Sequence, residues 1–230
     1  MKKYLALLLS LLMMISLCTT AFADSVTKRT MIVSGTEYSI ETTRSGVVTV
    51  VDKSNGAKAV FDKNTGELTV KENDSSKEIN ININELIEAG EEKGSNSSTD
   101  NKYAYSTSTK YYNGSPYTFW QIQIPNQIKY TYEKNNVSNL INFQNNVDRM
   151  RSAQDTIKWQ LGATGLAIIL GLVASLPIAA IAAAIIAIAD NLLTGGGSSI
   201  YDIIGSAQDI KNSQTNCVTY FNLVVPVSIP

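Results

Sequence analysis

The chain contains no histidine. That removes Ser-His-Asp and Cys-His nucleophiles and the commonest zinc ligand. It has no G-x-S-x-G, P-loop or H-E-x-x-H pattern. Of its two cysteines, Cys18 falls in the pattern of an export signal, so Cys217 is the one thiol expected in the processed chain. Cys217 has no nearby base to activate it, and its neighbours Val218, Tyr220 and Phe221 point to burial as an apolar side chain rather than to catalysis. Asp62, Asn64 and Glu67 around Gly66 resemble a fragment of a calcium loop, but the full series of oxygen ligands is missing and a hairpin turn explains the spacing better. The many aromatics lack the basic stripe of a nucleic-acid surface. The residues therefore point to no enzyme, no metal, no cofactor and no nucleic-acid partner.

What remains is an element that could act physically. Residues 161–193 read LGATGLAIILGLVASLPIAAIAAAIIAIADNLL, with no charge before Asp190 and one helix breaker, Pro177, near the middle. In the first limb Leu166, Ile169, Val173 and Leu176 fall at helical 3-4 spacing. In the second, Ile178, Ile181, Ile185, Ile188 and Leu192 do the same. Ala163, Ala167, Gly171, Ser175, Ala179, Ala183 and Ala187 form a column of small residues at every fourth position, a pattern that lets helix backbones approach closely. Such a segment either fills a core or enters a membrane. The residues that would carry insertion are Leu166, Ile169, Val173, Pro177, Ile181, Ile185 and Ile188.

Length and charge bear on that choice. The run is too long for one straight span, and each limb, at roughly 24 Å for 1.5 Å per residue, is short for a ~30 Å hydrocarbon layer. A single permanent span would place Lys134, Arg149, Arg151 and Lys158 outside and leave Asp202, Asp209 and only Lys211 inside, the reverse of the positive-inside bias. A hairpin keeps both flanks on one side. Buried core and inserted hairpin both remain open on these grounds.

The elements around it come in order. Lys2 and Lys3, an apolar run over residues 4–17 and Ala21-Phe22-Ala23 predict a signal peptide over residues 1–23 and a secreted chain starting at Asp24. Removing the two lysines shifts the formal net charge from −1 to about −3, with no global pull toward anionic partners. Residues 24–132 read as β structure. Alternation runs from Thr36 to Val70, Asn55-Gly56 and Asn64-Thr65-Gly66 mark turns, and a D-K-x-x-G sequence recurs ten residues apart. A short helix is expected over residues 84–92 and a serine-rich linker near 90–102. The aromatic strands of residues 103–132 follow, with a hairpin at Asn113-Gly114.

Residues 133–230 are expected to be helical. Leu140, Phe143, Val147, Met150, Gln154, Ile157 and Leu161 make a seam, with Asn136 as N-cap, on a helix running straight into the apolar hairpin at 161–193. Gly195, Gly196 and Gly197 break the chain before a last short helix with Ile200, Ile203, Ile204, Ala207 and Ile210 on its apolar face, capped by Ser198 or Ser199. Residues 217–229 read as a strand with Pro226 at an edge. The seam helix and the last helix are expected to sandwich the hairpin. The fold class is α+β, a β-rich N-terminal region followed by helices built around a hydrophobic hairpin.

An export signal, β segments with Asp52-Lys53 and Asp62-Lys63 turns leading to Gly66, an amphipathic helix running into a Gly/Ala/Ile segment, and a triple-glycine break together resemble the large, unmodified geobacillin bacteriocins of spore-forming Gram-positive bacteria. The resemblance spans most of the processed chain and assigns no residue roles. It implies a secreted antibacterial protein acting on related bacteria. Joined to the apolar hairpin, it makes the expected function that of a bacteriocin acting at the target-cell membrane, with a surface receptor or wall polymer as a second class of partner. The alternative is a non-toxic envelope protein that binds a surface through its tyrosine-rich strands and uses the hairpin only as core.

Overall fold

In the computed structural model, residues 26–72, 78–93, 102–112, 114–192 and 199–227 are described. The expected signal peptide, most of the expected serine-rich linker, Asn113 and the triple glycine lie outside them. Strands β1 (Thr27–Val33), β2 (Thr36–Thr42), β3 (Val47–Asp52), β4 (Lys58–Asp62), β5 (Glu67–Lys71) and β6 (Glu78–Asn82) form an antiparallel meander in chain order. Period-two alternation puts two apolar rungs on one face. Ile40, Val50, Ala59, Val70 and Ile79 pair in one rung, and Val48, Phe61, Leu68 and Ile81 in the other. The opposite face is wetter and carries surface pairs such as Lys28–Glu41.

The recurring D-K-x-x-G sequence is one turn used twice. Asp52 Oδ1 accepts the Ser54 N–H at 2.8 Å, and Asp62 Oδ1 accepts the Asn64 N–H at the same distance. Gly56 and Gly66 then close back on the Asp52 and Asp62 carbonyls with φ near +74°. The connections, residues 53–57 and 63–66, are accordingly longer than the two- and three-residue hairpin loops that Asn55-Gly56 and Asn64-Thr65-Gly66 suggest, because the aspartate side chains cap the turns. The helix expected at 84–92 is α1 (Ile83–Lys93); Asn82 Oδ1 accepts the Asn84 N–H at 3.0 Å at its start.

Strands β7 (Ala104–Tyr112), β8 (Ser115–Ile124) and β9 (Gln127–Tyr132) make a second, separate sheet. After a 3-10 turn at Glu133–Asn135 come α2 (Val137–Ser175), α3 (Ile178–Leu192) and α4 (Ile200–Leu223). The seam of α2 is buried as the periodicity predicts, Gln154 included. Side chains place α4 antiparallel to it: Asn139 reaches the Leu223 carbonyl, Asn216 bonds Asn146, Arg149 pairs with Asp209, and Gln160 lies 3.5 Å from Asp202. This pair is a spine between two cores. At one end Trp120, Ile122 and Ile124 of β8 pack on Leu140, Phe143, Val147, Cys217 and Phe221. At the other, the spine joins the hairpin and the six-stranded sheet in one large core.

The structure corrects three expectations. The helix does not run straight into the apolar segment: Gly162 breaks α2 with φ 72° and ψ −173°, a region open essentially to glycine. Residues 217–223 belong to helix α4, not to a C-terminal strand. Their β-branched and aromatic composition favours extended chain, but Ser213, Cys217 and Phe221 fall at four-residue spacing and pack on α2, and packing overrides propensity. Only the tail beyond the helix runs along β9, with the Val227 N–H on the Tyr130 carbonyl at 2.9 Å.

The third concerns Asn136, which precedes α2 without capping it. Its amide donates to Thr131 Oγ1 at 2.8 Å and to the Val225 carbonyl at 3.1 Å, and its Oδ1 accepts the Val225 N–H at 3.0 Å. The buried amide ties the sheet, the start of α2 and the tail together. Ser199 likewise precedes α4 with no side-chain cap. Asn136→Ala should lower unfolding free energy by about 2 kcal/mol, the cost of an orphaned Val225 N–H and lost bonds, with an unchanged slope against urea.

Burial also sets an alkaline limit. Burial, reinforced by the charge of Asp52 and a hydrogen bond to it, pushes the Tyr38 hydroxyl up to about 12. Burial alone pushes the Cys217 thiol up to about 12 from 9.0. Both groups hold their protons in the folded chain after the unfolded chain has released them. Their contribution is intact below about pH 9 and is lost between pH 9 and 12. Urea titrations at pH 8, 10 and 11 should show stability falling, and Tyr38→Phe with Cys217→Ala should flatten that fall.

Candidate membrane-active hairpin

The limbs are residues 163–175 of α2 and the whole of α3. Pro177 separates them, and Leu176 before it is extended at φ −104° and ψ 147°, as the residue preceding proline prefers. Leu166, Ile169, Val173, Ile181, Ile185 and Ile188 are all buried in the large core, while Pro177 is half-buried. The structure thus brings six of the seven candidates together as packed interior. Burying each such side chain contributes roughly 1.5–3 kcal/mol, so the hairpin has no reason to leave its place in water alone.

Its cover differs from the all-helical sandwich that the sequence suggests. The spine helices pack on one side through Met150, Ala153, Ile157, Ile203 and Ile210, but the two apolar rungs of the six-stranded sheet close the other side over α3. Helix α1 covers the first limb. A Cβ at Gly171 would stand 2.7 Å from Leu86 Cδ2, so Leu86 packs directly over the glycine and a side chain there would make it shift. The small-residue column is therefore split: Gly171 faces α1, whereas Ala183 and Ala187 are buried within the large core.

One strong polar tie holds the limb. Lys211 Nζ donates to the Val173 carbonyl at 2.8 Å, placing a cation at the carbonyl end of that helix. Gln160, just before the break, lies by Asp202, and Val173 lies by Lys211, so the limb runs beside α4 in the same direction. The hairpin tip is not sealed. Ala174, Ser175, Ile178 and Ala179 are exposed, and a cavity of about 170 Å³ opens there between Val70, Glu72, Ile79, Ser175 and Pro177. At the other end Gly162 is exposed, with Trp159 86 % and Tyr201 49 % accessible close by. Such aromatics suit a water–lipid boundary.

Among the described residues, one helix, Val137–Ser175, meets by length and hydropathy the measure of a membrane span, with a mean hydropathy of 1.6 over 18 residues. Because too few residues follow Gly162 to fill that window, it must cross the break, and neither limb alone reaches across a ~30 Å layer. A larger open groove follows the solvent side of α2 from Asp148 to Gln160. Its walls come from one helix only, without the convergent groups a binding site needs. Among the described residues no cluster of three metal-binding side chains gathers.

No protein-family model, curated protein or solved structure matches this chain. Spacing in the sequence located the limbs and their break. It missed the sheet as cover, the Gly162 reversal, the Leu86 contact and the Lys211 tie. The signals for the last two were a glycine facing outward on the first limb and a lone lysine in the last helix.

Proposed function

We propose that the chain is a secreted antibacterial protein, of the kind its bacteriocin resemblance implies, that acts at the target-cell membrane by releasing the apolar hairpin. The observation that carries this reading is a helical hairpin, free of charge up to Asp190 near its end, held between a sheet and a helix pair with its tip at the surface. Most of its backbone hydrogen bonds are internal to its own helices, so only the helix ends need other partners in lipid. A hydrocarbon layer replaces the apolar burial that the core supplies to the hairpin; the transfer costs close packing, contacts such as Lys211 to Val173, and the burial of the sheet rungs and spine face that the hairpin covered. Short limbs enter with local thinning of the bilayer. Trp159 and Tyr201 sit at the base of the hairpin, where they can hold the headgroup region.

The test uses chain beginning at Asp24. Added to dye-loaded liposomes and to related Gram-positive cells, it should release dye and depolarise the cells. Intact liposomes together with unaffected cells would overturn the membrane reading and leave a surface-binding protein with a structural core.

A further inference from the structure

The outer face of the three-stranded sheet has a composition that the hairpin does not explain. Trp120, Ile122 and Ile124 point into the core, so their alternates Phe119, Gln121 and Gln123 point away. Register places Ser106, Gln121 and Tyr130 in one row, and Ser108, Phe119 and Tyr132 in the next. Lys110 and Tyr117 continue the face toward the hairpin end.

The rings form an ordered ladder. Phe119 and Tyr130 are 6.0 Å apart and within 14° of parallel. Tyr132 stands edge-on to Phe119 at 5.4 Å and to Tyr117 at 5.9 Å. The two central rows therefore pair rings with amide or hydroxyl side chains, and the row of Ala104, Gln123 and Ile128 borders them without a ring. The three strands contain no Asp or Glu, and Lys129 is turned inward onto the Phe221 and Val224 carbonyls. The face thus carries Lys110 as its cation and no carboxylate.

We propose that this face binds a glycan strand of the cell wall. The apolar C–H side of a pyranose packs on an aromatic ring, and its hydroxyls and acetamido groups take hydrogen bonds from amide and hydroxyl side chains alongside. Rows that alternate ring and polar group, at separations close to one sugar ring, match that double demand. The charge fits as well, since a neutral or weakly anionic polyol meets no carboxylate on this face. A bilayer surface or a nucleic acid would call for a cluster of cations, not one lysine. The binding stands apart from hairpin release; it would hold the protein at the envelope whether or not a membrane is breached.

Purified peptidoglycan sacculi are the probe, in a sedimentation assay with chain beginning at Asp24. The protein should pellet with sacculi and be released by soluble N-acetylglucosamine oligomers. Phe119→Ala with Tyr132→Ala should weaken retention at least tenfold. Because those rings are half-buried, the exposed Tyr117→Ala together with Gln121→Ala serves as a second variant, expected to lose retention with an unchanged melting temperature. Tyr111→Ala, on the opposite side of the ribbon, should bind as the parent does. Failure of the parent to sediment, equal retention of folded ladder variants, or loss of liposome binding rather than sacculus binding in those variants would each overturn the proposal.

Discussion

Oxidised Leu86→Cys/Gly171→Cys protein, built on Cys217→Ala, should release no dye from liposomes, and reduction should restore release. Gly171 lies on the first limb, and a Cβ placed on it would stand 3.4 Å from Leu86 Cγ; one bond length more bounds the Cβ–Cβ separation at about 5 Å, which a small shift of α1 brings into the range of a bridge. The bond would fasten the hairpin to α1, which in turn begins on the β4–β5 turn through the Ile83 N–H on the Gly66 carbonyl at 2.9 Å. Replacing Cys217 prevents mispairing; alanine suits its buried site better than serine, which would bring a hydroxyl needing a partner. The lock leaves the outer surface unchanged. A drop of at least a hundredfold in the initial rate of leakage, reversed by reductant, is the expected size. Equal leakage by both redox forms would mean that the hairpin stays in place and that any activity belongs to another surface.

Ile178→Lys and Ala179→Lys should abolish membrane activity while leaving the fold alone. A charge deep in the limbs does not separate these two effects. Ile181, Ala183 and Ile185 are fully buried, so an unpaired charge there would unfold the protein before it reached a membrane. The tip is different, because Ile178 is 39 % accessible and Ala179 is exposed. A lysine there keeps its hydration in the soluble form. If the tip must travel to the middle of the bilayer, the same lysine costs roughly 2.5–3.5 kcal/mol there, a factor of about a hundred in the inserted population. Thermal melts should match the parent within a few degrees, and dye release should fall by about that factor. Parental leakage from a well-folded tip variant would show that the tip does not enter hydrocarbon.

The two variants address different links: the lock tests whether the hairpin leaves its cover, and the tip charge tests where it goes. An outcome in which the lock inhibits but the tip charge does not would point to opening without penetration, with the exposed rungs of the sheet or the spine as the active surface.

What the sequence by itself determined is what repeats over a few residues. Period-two alternation marked the β-rich half, because side chains on a strand must alternate between core and water. Period 3.6 marked the seam from Leu140 to Ile157 and the face from Ile203 to Ile210, because a helix must gather its apolar groups on one side. Pro177 marked the break between the limbs through the restriction it places on Leu176. The burial of Cys217 was legible from its apolar neighbours.

The tertiary structure decided everything that depends on a distant partner. Gly162 could have continued the helix; its turn exists because the limb must fold back beside α4. Asn136 had a cap available and instead holds Val225, which is remote in sequence. Residues 217–223 follow α2 as helix despite their strand-like composition. The cover of the hairpin, half sheet and half helix, could not be read locally, since an apolar rung suits any apolar partner. Hydrophobic burial is non-directional: local pattern says which face must be hidden, and only the assembled chain says against what.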